Sequence, residues 1–391
     1  MKDILKEAQT DARHSMARQW KERTGGKVYG YFCCAAPEEI LQAAGILPIR
    51  IVGTNEPLHY ADQWVPYNSC PFARSCLDAG IRGDYRYLDG VVVPTTCDMM
   101  SAMDFLWAEH VPAPSRPDVI QQKTLNPYVY HIPYPQKTTG REVVRFYTEA
   151  LKVFQQELER SLWRTITDTD LSDAIAVYND DKAQLRRLYQ MRMSDPSVVS
   201  AYQAWQFTFA SQVMPKDEHA RLLRDYLDDV ETWTSETTVS GVRLYVSGGP
   251  MDPMNAEVLR IIEESGGQVV SDDACMGSRY FWQPLDTQVP PLEAIARRSL
   301  GIACPRSTCT DSIPEMRWDF IRRTLTDCRI EGAIFLTMKC CDARLSEIPH
   351  LAKRFRDDLD VPTLVLEGDY TPGGIDQMRP RIEAFIEMIE V

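Results

Sequence analysis

The chain has 391 residues, enough for two to three domains at ~100–200 residues each. Its 44% hydrophobic and 25% charged residues are ordinary globular values and argue against a disordered chain or a coiled coil. The 43 Lys and Arg against 56 Asp and Glu leave −13 with no basic block, so neither nucleic acid nor a membrane surface is an expected partner. No apolar run approaches the ~18 residues that span a bilayer. The charged N-terminal stretch also lacks the apolar centre of a signal peptide, which points to the cytoplasm.

Residues 1–24 read as an amphipathic helix ending at Thr24-Gly25-Gly26. Residues 27–32 form a short strand that stops at Cys33. Pro37-Glu38-Glu39 opens a helix, with proline in the first turn and acids near the positive end of the dipole, and Gly45 ends it. Residues 48–52 are the next strand. Cys70-Pro71 starts a helix, and a buried strand over 88–94 runs into Thr95-Thr96-Cys97-Asp98. A Pro- and Tyr-rich stretch over 112–140 closes this first unit. From Arg141 to about Thr234 the pattern is helical, broken near Asp195-Pro196 and Met214-Pro215.

At Gly241 the first pattern returns. Residues 242–247 form a strand with Gly248-Gly249-Pro250 as its loop, and 255–265 a helix ending at Gly266-Gly267. A strand over 268–270 leads into Asp272-Asp273-Ala274-Cys275, and Cys304-Pro305 follows a helical stretch. A buried strand over 330–336 reaches Lys339-Cys340-Cys341-Asp342. A last strand over 361–367 precedes a loop and a C-terminal helix. Strands alternating with helices imply parallel α/β sheets. The expected organisation is an α/β domain over 1–140, a helical connector over 141–240 and a second α/β domain over 241–391. The two doubly wound domains face each other.

Eleven cysteines, with adjacent pairs at 33–34 and 340–341, suggest thiol chemistry or metal rather than cross-links in a reducing compartment. Ligands of open α/β sheets bind beyond the carboxyl ends of the strands. Cys33, Cys97, Cys275 and Cys341 lie just past strands. Cys70 and Cys304 stand at helix starts, where the dipole favours thiolate. If the domains face each other, these six converge on one cleft, where a metal would have to neutralise their mutual repulsion. Soft thiolate ligands suit an iron–sulfur cluster or zinc. Of the compact C-x₂₋₄-C pairs that usually mark structural zinc, only Cys304 to Cys309 comes close, with no second pair nearby, and the ferredoxin run is absent. Spacing therefore leaves two readings open, a cluster or scattered core cysteines. Cys76, Cys309 and Cys328 read as small buried hydrophobes.

The other motifs are negative. Without a G-x-x-x-x-G-K-[ST] run, no phosphate-binding loop for ATP is expected, and without G-x-G-x-x-G no dinucleotide site is. Asp98 and Asp342, each after a cysteine, read equally as proton donors or helix caps.

At these residues the sequence resembles the benzoyl-CoA reductase / 2-hydroxyacyl-CoA dehydratase family. The motifs are Cys33-Cys34-Ala35-Ala36-Pro37-Glu38-Glu39-Ile40 with Ala43-Ala44-Gly45, Asn68-Ser69-Cys70-Pro71 and Thr95-Thr96-Cys97-Asp98. In the second half they are Cys275-Met276-Gly277, Cys304-Pro305 and Lys339-Cys340-Cys341-Asp342. The resemblance implies two flavodoxin-like domains with an iron–sulfur cluster between them. It implies an ATPase activator carrying its own [4Fe-4S] cluster, a sister subunit or second copy, and an acyl-CoA substrate. Six cysteines, matching Cys33, Cys70, Cys97, Cys275, Cys304 and Cys341, imply the double-cubane [8Fe-9S] type and a reductase of anaerobic aromatic degradation. A stand-alone double-cubane reductase of small molecules is the first alternative. A dehydratase with a single [4Fe-4S] cluster on Cys33, Cys97 and Cys341 is the other. Cys34 and Cys340 stand where relatives carry another residue.

Overall fold

The computed structural model describes residues 12–54, 56–112, 128–194, 197–232, 239–253, 255–302, 315–369 and 374–390. The start of the first helix, the break at Asp195-Pro196, Cys304 and Cys309 lie outside them, as does most of the Pro- and Tyr-rich stretch.

The chain opens with α1 (Ala12–Thr24), β1 (Lys27–Tyr31), α2 (Glu38–Ala43), β2 (Ile46–Arg50), α3 (Pro71–Arg82), β3 (Gly90–Pro94), α4 (Asp98–His110) and β4 (Val129–Ile132). The strands form one parallel sheet in the order β2-β1-β3-β4. β2 starts two residues earlier than the sequence pattern suggested. It is an edge strand, where Pro48 can sit without breaking a ladder. β4 was not foreseen. It lies in the stretch read as a closing segment, and Val129↔Val91 to Ile132↔Pro94 pairing with β3 makes it a strand.

Four long helices follow: α5 (Arg141–Leu162), α6 (Asp168–Arg192), α7 (Ala201–Ser211) and α8 (Lys216–Thr232). Capping boxes at Thr167/Asp170 and Ser200/Gln203 start α6 and α7 by satisfying orphan amides. In α5, Tyr147, Leu151, Phe154 and Leu158 fall four, three and four apart and form its buried stripe.

The second half runs β5 (Val242–Ser247), α9 (Glu257–Glu264), β6 (Gly267–Asp272), α10 (Ser278–Phe281), α11 (Pro291–Gly301), α12 (Glu315–Cys328), β7 (Gly332–Met338), α13 (Asp342–Leu359), β8 (Thr363–Gly368) and α14 (Arg379–Glu390). Its sheet, β6-β5-β7-β8, is also all parallel and repeats the order of the first. That order matches the first four strands of a flavodoxin-like sheet.

β2, β3 and β6 are buried at every position, as strands covered on both faces must be. Successive side chains divide between the faces. Val91 and Val93 pack with Phe72, Leu77 and Trp107 from α3 and α4. Val92 points the other way, into a core built with Leu151, Leu185, Ile295 and Leu300 from α5, α6 and α11. In the second sheet Leu244 and Val246 face α9 and α14, while Tyr245 and Phe335 face α12 and α13.

Candidate functional site

The described cysteines fall into two groups by exposure. Cys33, Cys70, Cys97, Cys275, Cys340 and Cys341 are half-buried, whereas Cys34, Cys76 and Cys328 are buried, and none of the nine is in a disulfide. The half-buried group contains every described candidate ligand. Cys304, the sixth candidate, lies outside the described residues.

Local structure places each of the five. Cys33 is the second residue past β1 and adopts a left-handed φ of 63°. A turn closed by the Ala36 amide donating to the Cys33 carbonyl (3.2 Å) follows it. Cys70, Cys97 and Cys341 are each the residue immediately before a helix, α3, α4 and α13. Pro71 at the first position of α3 fixes one of those starts. Cys275 sits three residues past β6, in a loop locked by Asp272. The Asp272 carboxylate accepts from the Ala274 and Ser278 amides (3.1 and 2.9 Å), Tyr189 Oη (2.9 Å) and Arg192 Nη2 (3.0 Å). Strand order reverses between β1 and β3 in one sheet and between β5 and β7 in the other. Cys33, Cys97 and Cys341 therefore stand at topological switch points, where α/β sheets bind ligands. Cys97 and Cys341 end equivalent strands. Cys275 ends β6, whose counterpart in the first sheet is β2, the strand that finishes at Arg50.

The thiols feel one another. Burial raises the Cys70 pKa to about 12, helped by Cys341 and Cys340, while the Ala73 and Phe72 amides oppose it. Burial likewise raises the Cys97 pKa, and Cys70, Cys33 and Cys341 add to the rise. Cys33 goes the other way. The neighbouring Cys34 thiol holds it well below the usual thiol range against burial, with Arg50 and Thr96 assisting. Cys70, Cys97 and Cys341 also pack against one apolar cluster, so a cysteine of the second half reaches the core of the first. Cys275 joins the group through Arg50, whose Nη2 lies 3.9 Å from its sulfur.

Sequence reasoning missed the charged side chains around this group. Arg50 is 2% exposed, lies 5.6 Å from the Tyr31 ring centroid, and has Nε and Nη1 buried with no hydrogen-bond partner among the described residues. Burial opposes its charge, but Cys275, Tyr31, Cys33 and Cys34 outweigh burial and stabilise the cation. Glu38 and Glu39, read as acids near the positive end of a helix dipole, are wholly buried. Glu38 accepts from Tyr280 (3.0 Å) and Tyr178 (3.4 Å) and faces Lys216 at 3.6 Å, and Glu39 meets Lys182 at 3.5 Å. Lys216 also donates to Ser211 Oγ (3.0 Å), which donates to Asp181 (2.6 Å), itself bonded to His219. The available signal was a charged residue inside an apolar frame, as in Ile49-Arg50-Ile51. Asp98 and Asp342 are exposed, each at the first position of its helix.

A cavity of about 780 Å³ opens among α10, α11 and α12. Arg279, Arg298, Arg323, Trp282 and Phe320 line it, with Asp319 the one acid among its described lining residues. Arg298 donates to the Cys34 carbonyl (3.0 Å) and Arg279 to the Gly248 carbonyl (2.6 Å), which ties its wall to both switch points.

Among the described residues no three His, Cys, Asp or Glu side chains converge closely enough to hold one metal ion. The donor set still fits a multi-iron cluster, in which different irons take different thiolates. It offers several half-buried thiols whose charges repel each other and a buried cation faced by sulfur.

Two matched parallel sheets with thiols just past the carboxyl ends of their strands define an α/β protein of two similar halves. The chain belongs to the 2-hydroxyglutaryl-CoA dehydratase, D-component family, which it matches over residues 33–389. It is 25% identical over 384 residues to a benzoyl-CoA reductase subunit of Thauera aromatica, covering 97% of this chain and 96% of that one. It is 24% identical over 369 residues to the "(R)-phenyllactyl-CoA dehydratase beta subunit" of Clostridium sporogenes, covering 94% and 93%. With the "(R)-2-hydroxyglutaryl-CoA dehydratase, subunit beta" of Acidaminococcus fermentans the identity is 22% over 380 residues, covering 93% of each. Among the described residues no helix is long and apolar enough to cross a membrane.

Proposed function

We propose that this chain is the iron–sulfur catalytic subunit of an ATP-dependent, low-potential reductase that dearomatises an aryl-CoA thioester. The observation that carries the reading is the set of half-buried thiols, Cys33, Cys70, Cys97, Cys275 and Cys341, drawn from both halves of the chain. With Cys304 they would hold a double-cubane cluster. Such a cluster, buried and thiolate-rich, supplies single electrons at the low end of the potential range. The chain's own residues bind and orient the substrate. The three arginines of the cavity suit the phosphates of a CoA thioester, and Trp282 and Phe320 its apolar parts. The ATPase activator with its own [4Fe-4S] cluster, and a sister subunit or second copy, complete the proposed assembly. A cytoplasmic, anaerobic setting goes with it.

A 2-hydroxyacyl-CoA dehydratase subunit is the second reading, favoured by the names of two relatives and by Cys33, Cys97 and Cys341 at the switch points. In that case these three thiolates hold one [4Fe-4S] cluster. Iron and acid-labile sulfide counted on anaerobically purified protein decide the matter. About eight irons per chain is the expected result, about four returns the dehydratase, and zinc or no iron overturns both.

A further inference from the structure

Among the described residues three of the six buried arginines meet a carboxylate within ion-pair distance, while Arg279 and Arg298 donate to the Gly248 and Cys34 carbonyls. Arg192 meets Asp272 at 3.0 Å, Arg317 meets Asp273 at 2.6 Å, and Arg344 meets Glu347 at 3.1 Å. Arg50 is as deeply buried, yet no carboxylate lies within ion-pair distance of it among the described residues. Its neighbours are sulfur and an aromatic ring: Cys275 Sγ at 3.9 Å from Nη2, and the Tyr31 ring. Its Nε and Nη1 have no hydrogen-bond partner among the described residues. Taking a guanidinium out of water without a counter-charge costs several kcal/mol, so buried cations persist where an anion meets them. The backbone leaves little choice of position. Arg50 is the last residue of β2, in register with Tyr31 at the end of β1, and its amide donates to the Gln212 carbonyl (2.8 Å). The guanidinium of the first half therefore faces the Cys275 sulfur of the second, with Cys33 and Cys34 within electrostatic range.

We propose that Arg50 is a positioning residue that supplies the fixed positive charge for a sulfur-borne anionic centre, and that this charge favours the centre's reduced state. The inference rests on the iron–sulfur reading above and adds to it a residue that is not a ligand. When titanium(III) gives one electron to the centre and leaves as titanium(IV), the centre gains one negative charge and no proton. A fixed cation beside it stabilises that added charge.

The test compares wild type, Arg50→Met and Arg50→Lys, loaded with iron under anaerobic conditions. Iron per chain is counted, and the midpoint potential is read by EPR during titration with titanium(III) citrate. Arg50→Met is expected to be reduced about tenfold less favourably, a shift of ~59 mV to more negative potential for one electron. Arg50→Lys keeps the charge and should stay within about threefold of wild type. Melting adds a readout that needs neither activity nor reduction. The iron-free Arg50→Met protein should melt no lower than iron-free wild type, because an uncompensated buried cation has gone. The iron-loaded variant should melt lower than loaded wild type. A merely structural Arg50 would lower both melts, and that result overturns the proposal. An unchanged midpoint in loaded Arg50→Met also overturns it, while leaving the functional reading intact. A wild-type chain that binds no iron overturns that reading and this inference together. If Arg50→Met fails to fold, Arg50→Lys decides: a potential shifted as far as tenfold despite the retained charge sinks the electrostatic account.

Discussion

Cys33 and Cys340 share a backbone feature with consequences at the residue scale. Each is the first cysteine of an adjacent pair, and both adopt left-handed φ, 63° and 58°. For a residue with a Cβ this costs ~1–2 kcal/mol, which the surrounding structure must hold. The left-handed residue turns the chain just past β1 and β7. Cys34 is buried under the Arg298 contact while Cys33 stays half-buried. Cys340→Gly should therefore be neutral or stabilising within about 1 kcal/mol by urea denaturation, with iron retained, whereas Cys341→Ala and Cys97→Ala lose it. If Cys340→Gly loses iron and Cys341→Ala keeps it, the assignment within that pair is reversed. Cys328, buried at the end of α12, is a packing thiol, and its change to Ala should leave iron content at the wild-type level.

At the scale of elements, α2 is tied to α6 and α8 through buried charge rather than apolar surface alone. Burial first, and then Arg298, push the Lys182 ammonium down to about 7 from 10.5, although Glu39 and Glu38 pull the other way. Lys182 thus carries fewer protons folded than unfolded between about 7 and 10.5, and its contribution makes stability rise with pH across that window. Glu39 acts in the same sense over a more acidic range. Burial raises its pKa, but Arg298 and Lys182 outweigh burial and leave it below the usual carboxylate value, so its contribution is present at neutral pH and lost on acidification. Lys182→Met should remove the alkaline rise and start the acid loss at higher pH, because Glu39 keeps only Arg298. Urea midpoints of variant and wild type from pH 5 to 10 check this. Parallel curves would show that Lys182 is charged and paired throughout.

For the whole molecule, the packing crosses the boundaries expected from sequence pattern. One core joins β1 and β3 to α5 and α6, and is completed by Tyr280, Phe281, Leu285, Ile295, Leu300 and Ile302 from beyond β6. Each such side chain contributes roughly 1.5–3 kcal/mol on burial. Six of them amount to order 10 kcal/mol, comparable with the entire stability of an ordinary domain. A fragment of residues 1–240 should consequently keep its far-UV helix signal and lose its near-UV signal, as loosely packed states do. A sharp, cooperative thermal transition of that fragment would instead make the first 240 residues self-sufficient.

The alternation of short apolar runs with helices was enough to predict two parallel α/β units, because strands buried on both faces leave unbroken runs such as 91–93. The positions of the cysteines just past those runs followed from the same pattern. What the sequence could not provide was any relation between distant segments. β4 is a strand because β3 offers it an edge, and its four residues carry too little signal alone. The apolar stripes of the helices over 141–232 complete a core begun by the first sheet, a partnership that no local pattern displays. Glu38 and Glu39 fit the pattern of acids in a first helical turn, and their burial is compensated by Lys182 and Lys216, which arrive from 140 and more residues away. Arg50 is, in the sequence, one charge within a predicted strand. Only the juxtaposition of β2 with the loop after β6 turned it into a cation facing sulfur. Local propensity depends on near neighbours and is written in the chain, whereas the compensation of buried charge depends on which elements the tertiary fold brings together.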